Sequence, residues 1–422
     1  MAFNIQTYKT KGLLQGDMTV WVALIMLCII SIIEVYSASS GMSYKTGQYW
    51  KPMADHGTFV VIGLFVTWIV HQIPCKLFKL LSLGLILLSF FMLIWAIGSE
   101  KTNDAGRWIS IAGKTFQPSE FAKLAIIGYI AYIMSTHRDE KNKISSLGLK
   151  MICAVSLPFL ALIGMENFST AGLLALVIFG MLVIGEAPKK FMLTICLGAF
   201  ILLGSLGTVL LTMSKDTAVE IGEKVEALHR LPTWVSRLHE DHTLPEDPND
   251  YNVNDHQQVA HAKIAVATCN IVGRGPGKSI ERDYLPQAFS DFIYAIIIEE
   301  GGLEFAILVM GMYLLLLYRS WRIASKCARP FPAYLVMGLS MMLVLQALIN
   351  MGVAVGLLPV TGQTLPLVSK GGTSYIITCA YIGMILSVSR SAKKIEEAET
   401  QVAVAKHEDN SYTENADSEV NE

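Results

Sequence analysis

The chain is short of charge. Asp, Glu, Lys and Arg make up 16% of its 422 residues, where a soluble domain carries about 25%. The deficit is concentrated rather than spread. Residues 80–97 read LLSLGLILLSFFMLIWAI, without one charge. A bilayer core of about 30 Å takes roughly 20 helical residues to cross. Lipid offers no partner to backbone N–H and C=O groups, so such a run must be helical. That excludes a soluble fold. The charges that exist nearly cancel, to −2 net, which leaves no basic footprint for nucleic acid. The cysteines (Cys28, Cys75, Cys153, Cys196, Cys269, Cys327 and Cys379) lack CxxC or metal-ligand spacing. Most lie in apolar segments, where a thiol acts as a small buried hydrophobe. No tandem repeat of about 20–50 residues is visible. No cleavable leader is evident: the N-terminus is polar through Asp17, and the first apolar run is then expected to span.

What is there is a series of apolar runs between short charged loops. Spans are expected at 18–37, 57–73, 80–97, 120–136, 146–164, 168–186, 190–213, 291–318, 332–356 and 373–389. The fold class is all-α, a polytopic integral membrane protein with about ten transmembrane helices. With the N-terminus inside, seventeen Lys and Arg fall on inner segments and six on short outer loops. Cytoplasmic loops carry the excess of Lys and Arg, so both termini are expected inside. The domain reading is a cytoplasmic N-terminus at 1–17, helices one to seven over 18–213, a large extracytoplasmic loop at 214–290, helices eight to ten over 291–390, and an acidic cytoplasmic tail at 391–422. Loops as long as 214–290 are usually functional or disordered, and its aromatic, Pro and Gly content makes it more than a linker. The tail, ending NSYTENADSEVNE, is expected to be largely disordered.

Charges inside spans are costly unless paired or wet. Glu120 and Lys123 open the fourth span at i, i+3 spacing, which puts both on one helix face. Gln117-Pro118-Ser119 before them reads as a helix start. The pair is either a structural clamp or part of a site. Arg107, just outside that span, offers a donor fork suited to phosphate oxygens. Trp108 beside it fits an interfacial anchor and could equally stack on a sugar. Asp291 stands at the outer edge of the eighth span, after a Pro-containing turn. It is either a carboxylate stabilised by the helix dipole or a general base at a lipid–water boundary. Glu299 and Glu300 follow, then Gly301-Gly302, which suggests a broken helix lining a cavity. Residues 273–279, GRGPGKS, resemble a phosphate loop without its GxxxxGK[ST] spacing, and could still present N–H groups to an anion. Residues 358–374, LPVTGQTLPLVSKGGTS, hold Ser369 and Lys370 in irregular backbone, tolerated at membrane depth only when buried in protein or lining a cavity.

Together these motifs resemble the SEDS family, the shape, elongation, division and sporulation proteins of bacteria. The resemblance covers most of 18–390. It rests on GRW at 106–108, QPSE..K at 117–123, LP…DF…EE over 285–300, and LPvTG.tLPlvS.GG.S over 358–374. The TGQTLPLVS wording is more similar to the division branch than to the elongation branch. The resemblance implies a peptidoglycan glycosyltransferase that polymerises lipid II on the outer face of the cytoplasmic membrane, at the division septum, with Asp291 as catalytic carboxylate. Departures occur at Phe289-Ser290, where the family has His-Thr, at Lys370 for Tyr, at Gly301 for Leu, and at 166–171, ENFSTA for PDLGTA.

In the enzyme reading, a sugar 4-hydroxyl attacks the anomeric carbon of the donor strand and undecaprenyl pyrophosphate leaves. Asp291 is the base. Arg107, Lys370 and Arg237 are candidates for holding the pyrophosphate. Trp108, Gln117, Glu120, Lys123, Glu299 and Ser369 complete the expected substrate contacts. No cofactor is demanded, though a divalent cation, Mg or Mn, could assist. The resemblance implies a class B penicillin-binding transpeptidase and other division proteins as partners, with lipid II and the nascent glycan strand as substrates. The alternatives are a lipid II flippase, an elongation-type polymerase, or a division scaffold. A flippase explains the intramembrane charges but not the long outer loop followed by an acid.

Overall fold

The computed structural model describes residues 14–39, 50–98, 109–111, 114–140, 143–224, 230–240, 257–285 and 288–393. Arg107, Trp108 and the acidic tail lie outside them. The helices are α1 (Met18–Ala38), α2 (Lys51–Val70), α3 (Cys75–Ile97), α4 (Pro118–Thr136), α5 (Ser146–Glu166), α6 (Phe168–Ile184), α7 (Lys189–Thr212), α8 (Lys215–Lys224), α9 (Leu231–Glu240), α10 (Gln257–Ala267), α11 (Ile293–Ser325), α12 (Pro330–Ala354) and α13 (Thr373–Lys393). Among the described residues, eight of these are long and apolar enough to cross a membrane. α6 is apolar but shorter. α4 is flanked on nearly every side by protein, with Ile126, Ile127 and Ile130 fully buried. A helix shielded that completely meets little lipid and can carry Glu120 and Lys123.

Local chemistry sets the ends. Asp17 Oδ1 accepts Thr19 N at 2.9 Å and caps α1. Pro118 and Pro330 occupy the first turns of α4 and α12, where a missing N–H costs nothing. Asn167 is at once the C-cap of α5 and the N-cap of α6, its Oδ1 accepting Thr170 N at 3.1 Å. Its extended backbone turns the chain back between the two helices. A short antiparallel hairpin, β1 (Ile109–Ile111) with β2 (Lys114–Phe116), pairs Ile109 with Phe116 ahead of α4.

α12 and α4 form the centre. α12 packs on α11, α4 and α6, and α1 lies along α11. α7 is the loosest element: Leu193, Leu197, Phe200, Ile201 and Leu202 are exposed, in the manner of lipid-facing side chains, and its firmest neighbour is α9. The polar stretch 214–290 is not uniform loop. It holds α8, α9 and α10, and α10 packs against α11.

α11 is broken where its double glycine stands. Gly302 has φ +76 and ψ −178, outside the helical region. The bonds lost there are supplied by residues 270–275: Arg274 N donates to Glu299 O at 3.0 Å and Gly275 N to Glu300 O at 2.8 Å. The crossing is so close that a Cβ on Gly302 would lie 2.3 Å from Ile271 O, and one on Gly273 2.3 Å from Gly302 N. Only glycine fits both positions.

Candidate functional site

Asp291 precedes α11 by two residues. Phe292 holds the N-cap position and makes no side-chain cap bond. The Asp291 carboxylate accepts from Ser290 Oγ at 2.9 Å. Its surroundings are built by the irregular loop 358–374. Ser369 Oγ donates to Ser290 O at 2.6 Å, and Lys370 N donates to Phe289 O at 3.0 Å. Gly362 lies beside the acid, where a Cβ would sit 3.8 Å from Asp291 Oδ2. The Lys370 ammonium stands 5.1 Å over the Phe289 ring, a cation–π contact. The structure therefore brings Asp291, Ser369 and Lys370 together, though they are far apart in sequence.

Asn350 and Gln346, one turn apart on α12, tie this loop down. Asn350 Nδ2 donates to Asp291 O and to Gln363 O, both at 2.7 Å. Gln363 Nε2 reaches Thr170 Oγ1 at 2.6 Å. Gln346 Nε2 donates to Thr364 O at 3.1 Å, and its Oε1 accepts from Lys123 Nζ at 2.9 Å. Lys123, fully buried, also pairs with Glu120 at 2.7 Å. The ion pair on α4 is thus both clamp and support: it reaches the loop beside Asp291 through one side chain. Gln117 is the N-cap residue of α4, and its Nε2 lies 3.0 Å from Ser119 Oγ.

Glu299 is fully buried behind the Gly-rich loop. Its carboxylate accepts from Ser279 Oγ at 2.5 Å and Ile280 N at 3.0 Å, with Arg274 Nε at 3.5 Å. Glu300 accepts from Gly277 N at 2.7 Å, Ser279 N at 3.1 Å and the Ser37 hydroxyl of α1. The loop 273–279 does bind anions, and the anions are these two carboxylates. The pair fastens the loop across the break in α11.

A cavity of about 520 Å³ opens between α6, α7, α9 and the start of the 358–374 loop. Leu173, Leu176, Leu206, Leu210 and Leu358 make its apolar wall; Glu166, Asn167, Arg230, Thr233, Trp234 and Thr361 supply polar groups. Among the described residues, Arg230 Nε and Thr361 Oγ1 are buried without a hydrogen-bond partner. Thr361 adjoins Gly362, the residue beside Asp291. Arg237 lies on α9, two turns or less from the lining residues of that helix.

Sequence reasoning missed Gln346, Asn350 and Gln363. The signal was available for two of them: amides four residues apart inside an apolar span put two polar groups on one face of α12. Gln363 carried no local signal.

The chain matches a family model described as cell cycle protein, FTSW_RODA_SPOVE, over residues 17–394. Among similar proteins is the probable peptidoglycan glycosyltransferase FtsW of Halomonas elongata, 30% identical, aligned over 89% of this chain and 91% of that protein. The protein of the same name from Bacillus subtilis is 28% identical, over 92% and 93%. A chain from a structure of a peptidoglycan synthase complex that coordinates polymerization and crosslinking superposes with a TM-score of 0.67 at 22% identity, over 89% of this chain and 98% of that one. The rod shape determining protein RodA of Thermus thermophilus gives 0.61 at 19%, over 89% and 97%. At these identities the structural likeness concerns the fold alone.

Proposed function

Because this chain belongs to the FTSW_RODA_SPOVE family of cell cycle proteins, we propose that it is a membrane-embedded peptidoglycan glycosyltransferase that polymerises lipid II for septal wall synthesis. The observation that carries the reading is Asp291. It is a carboxylate held by the 358–374 loop and α12, next to a cavity with apolar walls and unmatched polar groups.

The chemistry follows from what such a site must do. The acceptor 4-hydroxyl is a poor nucleophile, so its proton passes to the Asp291 carboxylate as its oxygen attacks the anomeric carbon. The bond to undecaprenyl pyrophosphate breaks, and direct displacement inverts the anomeric centre. Lys370, with Arg107 and Arg237, holds the negative charge that develops on the pyrophosphate. The leucines of the cavity suit a prenyl chain, and Arg230 and Thr361 suit its polar head. Among the described residues no group of three or more His, Cys, Asp and Glu is placed to hold a metal ion.

The protein is a multi-pass membrane protein. We place both termini in the cytoplasm, on the seventeen-to-six distribution of Lys and Arg. In a background cleared of native cysteines, Asp250→Cys should react with an impermeant thiol reagent from outside and Ser418→Cys should not; the reverse would move the site to the wrong face. The partner we propose is a class B penicillin-binding transpeptidase, in keeping with the synthase complex among its structural neighbours. The function itself is tested with purified protein and that transpeptidase in proteoliposomes holding lipid II. Glycan polymer is expected; transbilayer movement of lipid II without polymer would favour a flippase.

A further inference from the structure

Two buried polar side chains that this chemistry does not use sit behind the loop carrying Lys370. Ser31 on α1 is fully buried and His56 on α2 is 1% exposed. Ser31 Oγ donates to Val368 O at 2.7 Å and lies 2.6 Å from His56 Nε2. A serine has one hydroxyl hydrogen, and a carbonyl oxygen can only accept. The hydrogen on Ser31 therefore goes to Val368, and His56 must donate Nε2–H to Ser31. In the neutral ring this leaves Nδ1 without a hydrogen; among the described residues Nδ1 is buried without a hydrogen-bond partner. The Tyr375 ring meets the imidazole edge-on at 5.6 Å and holds its plane, with the Tyr375 hydroxyl 3.0 Å from Cys28 Sγ.

The carbonyl that receives this chain belongs to a strained turn. Leu367 has φ +64, in the left-handed region that residues with a side chain avoid. Such strain persists only where the surroundings over-determine it. Here the carbonyls on both sides are held: the Tyr313 hydroxyl of α11 donates to Pro366 O, and Ser31 donates to Val368 O. The next two residues grip the acid's neighbours, Ser369 through Ser290 O and Lys370 through Phe289 O. From His56 to Ser290 the path is continuous: His56, Ser31, Val368, Ser369, Ser290.

We propose that His56 and Ser31 are positioning residues for polymerisation, holding the Leu367 turn so that Ser290 presents the Asp291 carboxylate to the acceptor hydroxyl. The proposal rests on Asp291 being the base. A displacement of about 1 Å at a reacting group costs on the order of 100-fold in rate, so a clamp one turn of loop away from the acid can control turnover without touching substrate. Because His56 serves Ser31 as a hydrogen-bond donor, a neutral donor of similar reach can replace it.

The test uses the full chain with its transpeptidase partner in proteoliposomes, reading initial polymerisation rate against lipid II concentration per folded molecule. Ser31→Ala and His56→Ala are expected to lower kcat about 10-fold to 100-fold, with KM little changed. His56→Gln, which keeps a side-chain N–H for Ser31, should recover most of the rate. If an alanine variant fails to fold, Ser31→Val and His56→Leu take its place and should show the same kcat loss. Variants that melt earlier but keep wild-type kcat would overturn the proposal, as would His56→Gln no better than His56→Ala. Asp291→Asn is measured beside them. If it retains activity, the reading of Asp291 fails; if it is inactive while the Ser31 and His56 variants keep their kcat, the positioning proposal alone fails.

Discussion

Lys123→Ala and Glu120→Ala are each expected to lower the yield and melting temperature of the protein, with the double variant no worse than the poorer single. The two side chains pair at 2.7 Å inside the bundle, Lys123 without exposure and Glu120 nearly so. Removing one partner strands the other as an uncompensated buried charge, at a cost of about 3–5 kcal/mol. Removing both takes away the stranded charge as well. Lys123→Ala should be the poorer single, because Lys123 also donates to Gln346 Oε1 at 2.9 Å, and Gln346 holds Thr364 O of the loop beside Asp291. Loss of activity should therefore accompany loss of stability. Thermal melts of both singles and the double, arranged as a double-mutant cycle, check this; additive losses would show that the pair is not coupled.

Asp291→Asn is expected to keep the fold and lose polymerisation by roughly 10²–10⁴-fold, the range for removing a general base. The substitution is close to isosteric. The bonds that place this residue are mostly made by backbone: Asn350 holds Asp291 O, and Ser369 and Lys370 hold the carbonyls of the two residues before it. None of these depends on the carboxylate. Since Phe292 occupies the N-cap of α11, the start of that helix should also survive. Melting temperature and lipid II polymerisation, measured on the same preparation, separate the roles: an early melt with proportionate activity would make Asp291 a structural residue.

The apolar runs were legible because a bilayer-crossing helix announces itself locally. Pro118 and Gly302 were legible for a similar reason, as helix starts and breaks act within a few residues of themselves. The same local view does not show what Glu299 and Glu300 meet. Two carboxylates beside a double glycine read as a cavity wall; the stretch 273–280 folds onto them with backbone N–H groups of Gly277, Ser279 and Ile280. Backbone donors are the same at every residue, so they leave no mark in sequence to say which carboxylate they meet. The ties around Asp291 were hidden by distance along the chain. Ser31 reaches Val368 and Lys123 reaches Gln346, and no periodicity connects residues that far apart. Family motifs singled out Asp291 and Ser369, and Lys370 stood out as a departure from them; only the fold shows that they share one turn of backbone contacts. Arg107 and Trp108, named by the same motifs, lie outside the described residues.

The most direct measurement of the central claim is the pH dependence of polymerisation for the wild type and Asp291→Asn on matched, folded protein. A base works only when deprotonated, so wild-type activity should fall as pH drops and the Asp291 carboxylate takes up a proton. In Asp291→Asn the side chain has nothing to protonate there, and the residual activity should show no such acid limb. An Asp291→Asn enzyme that polymerises lipid II at near the wild-type rate, or that keeps the same acid limb, would contradict the account and place the base elsewhere.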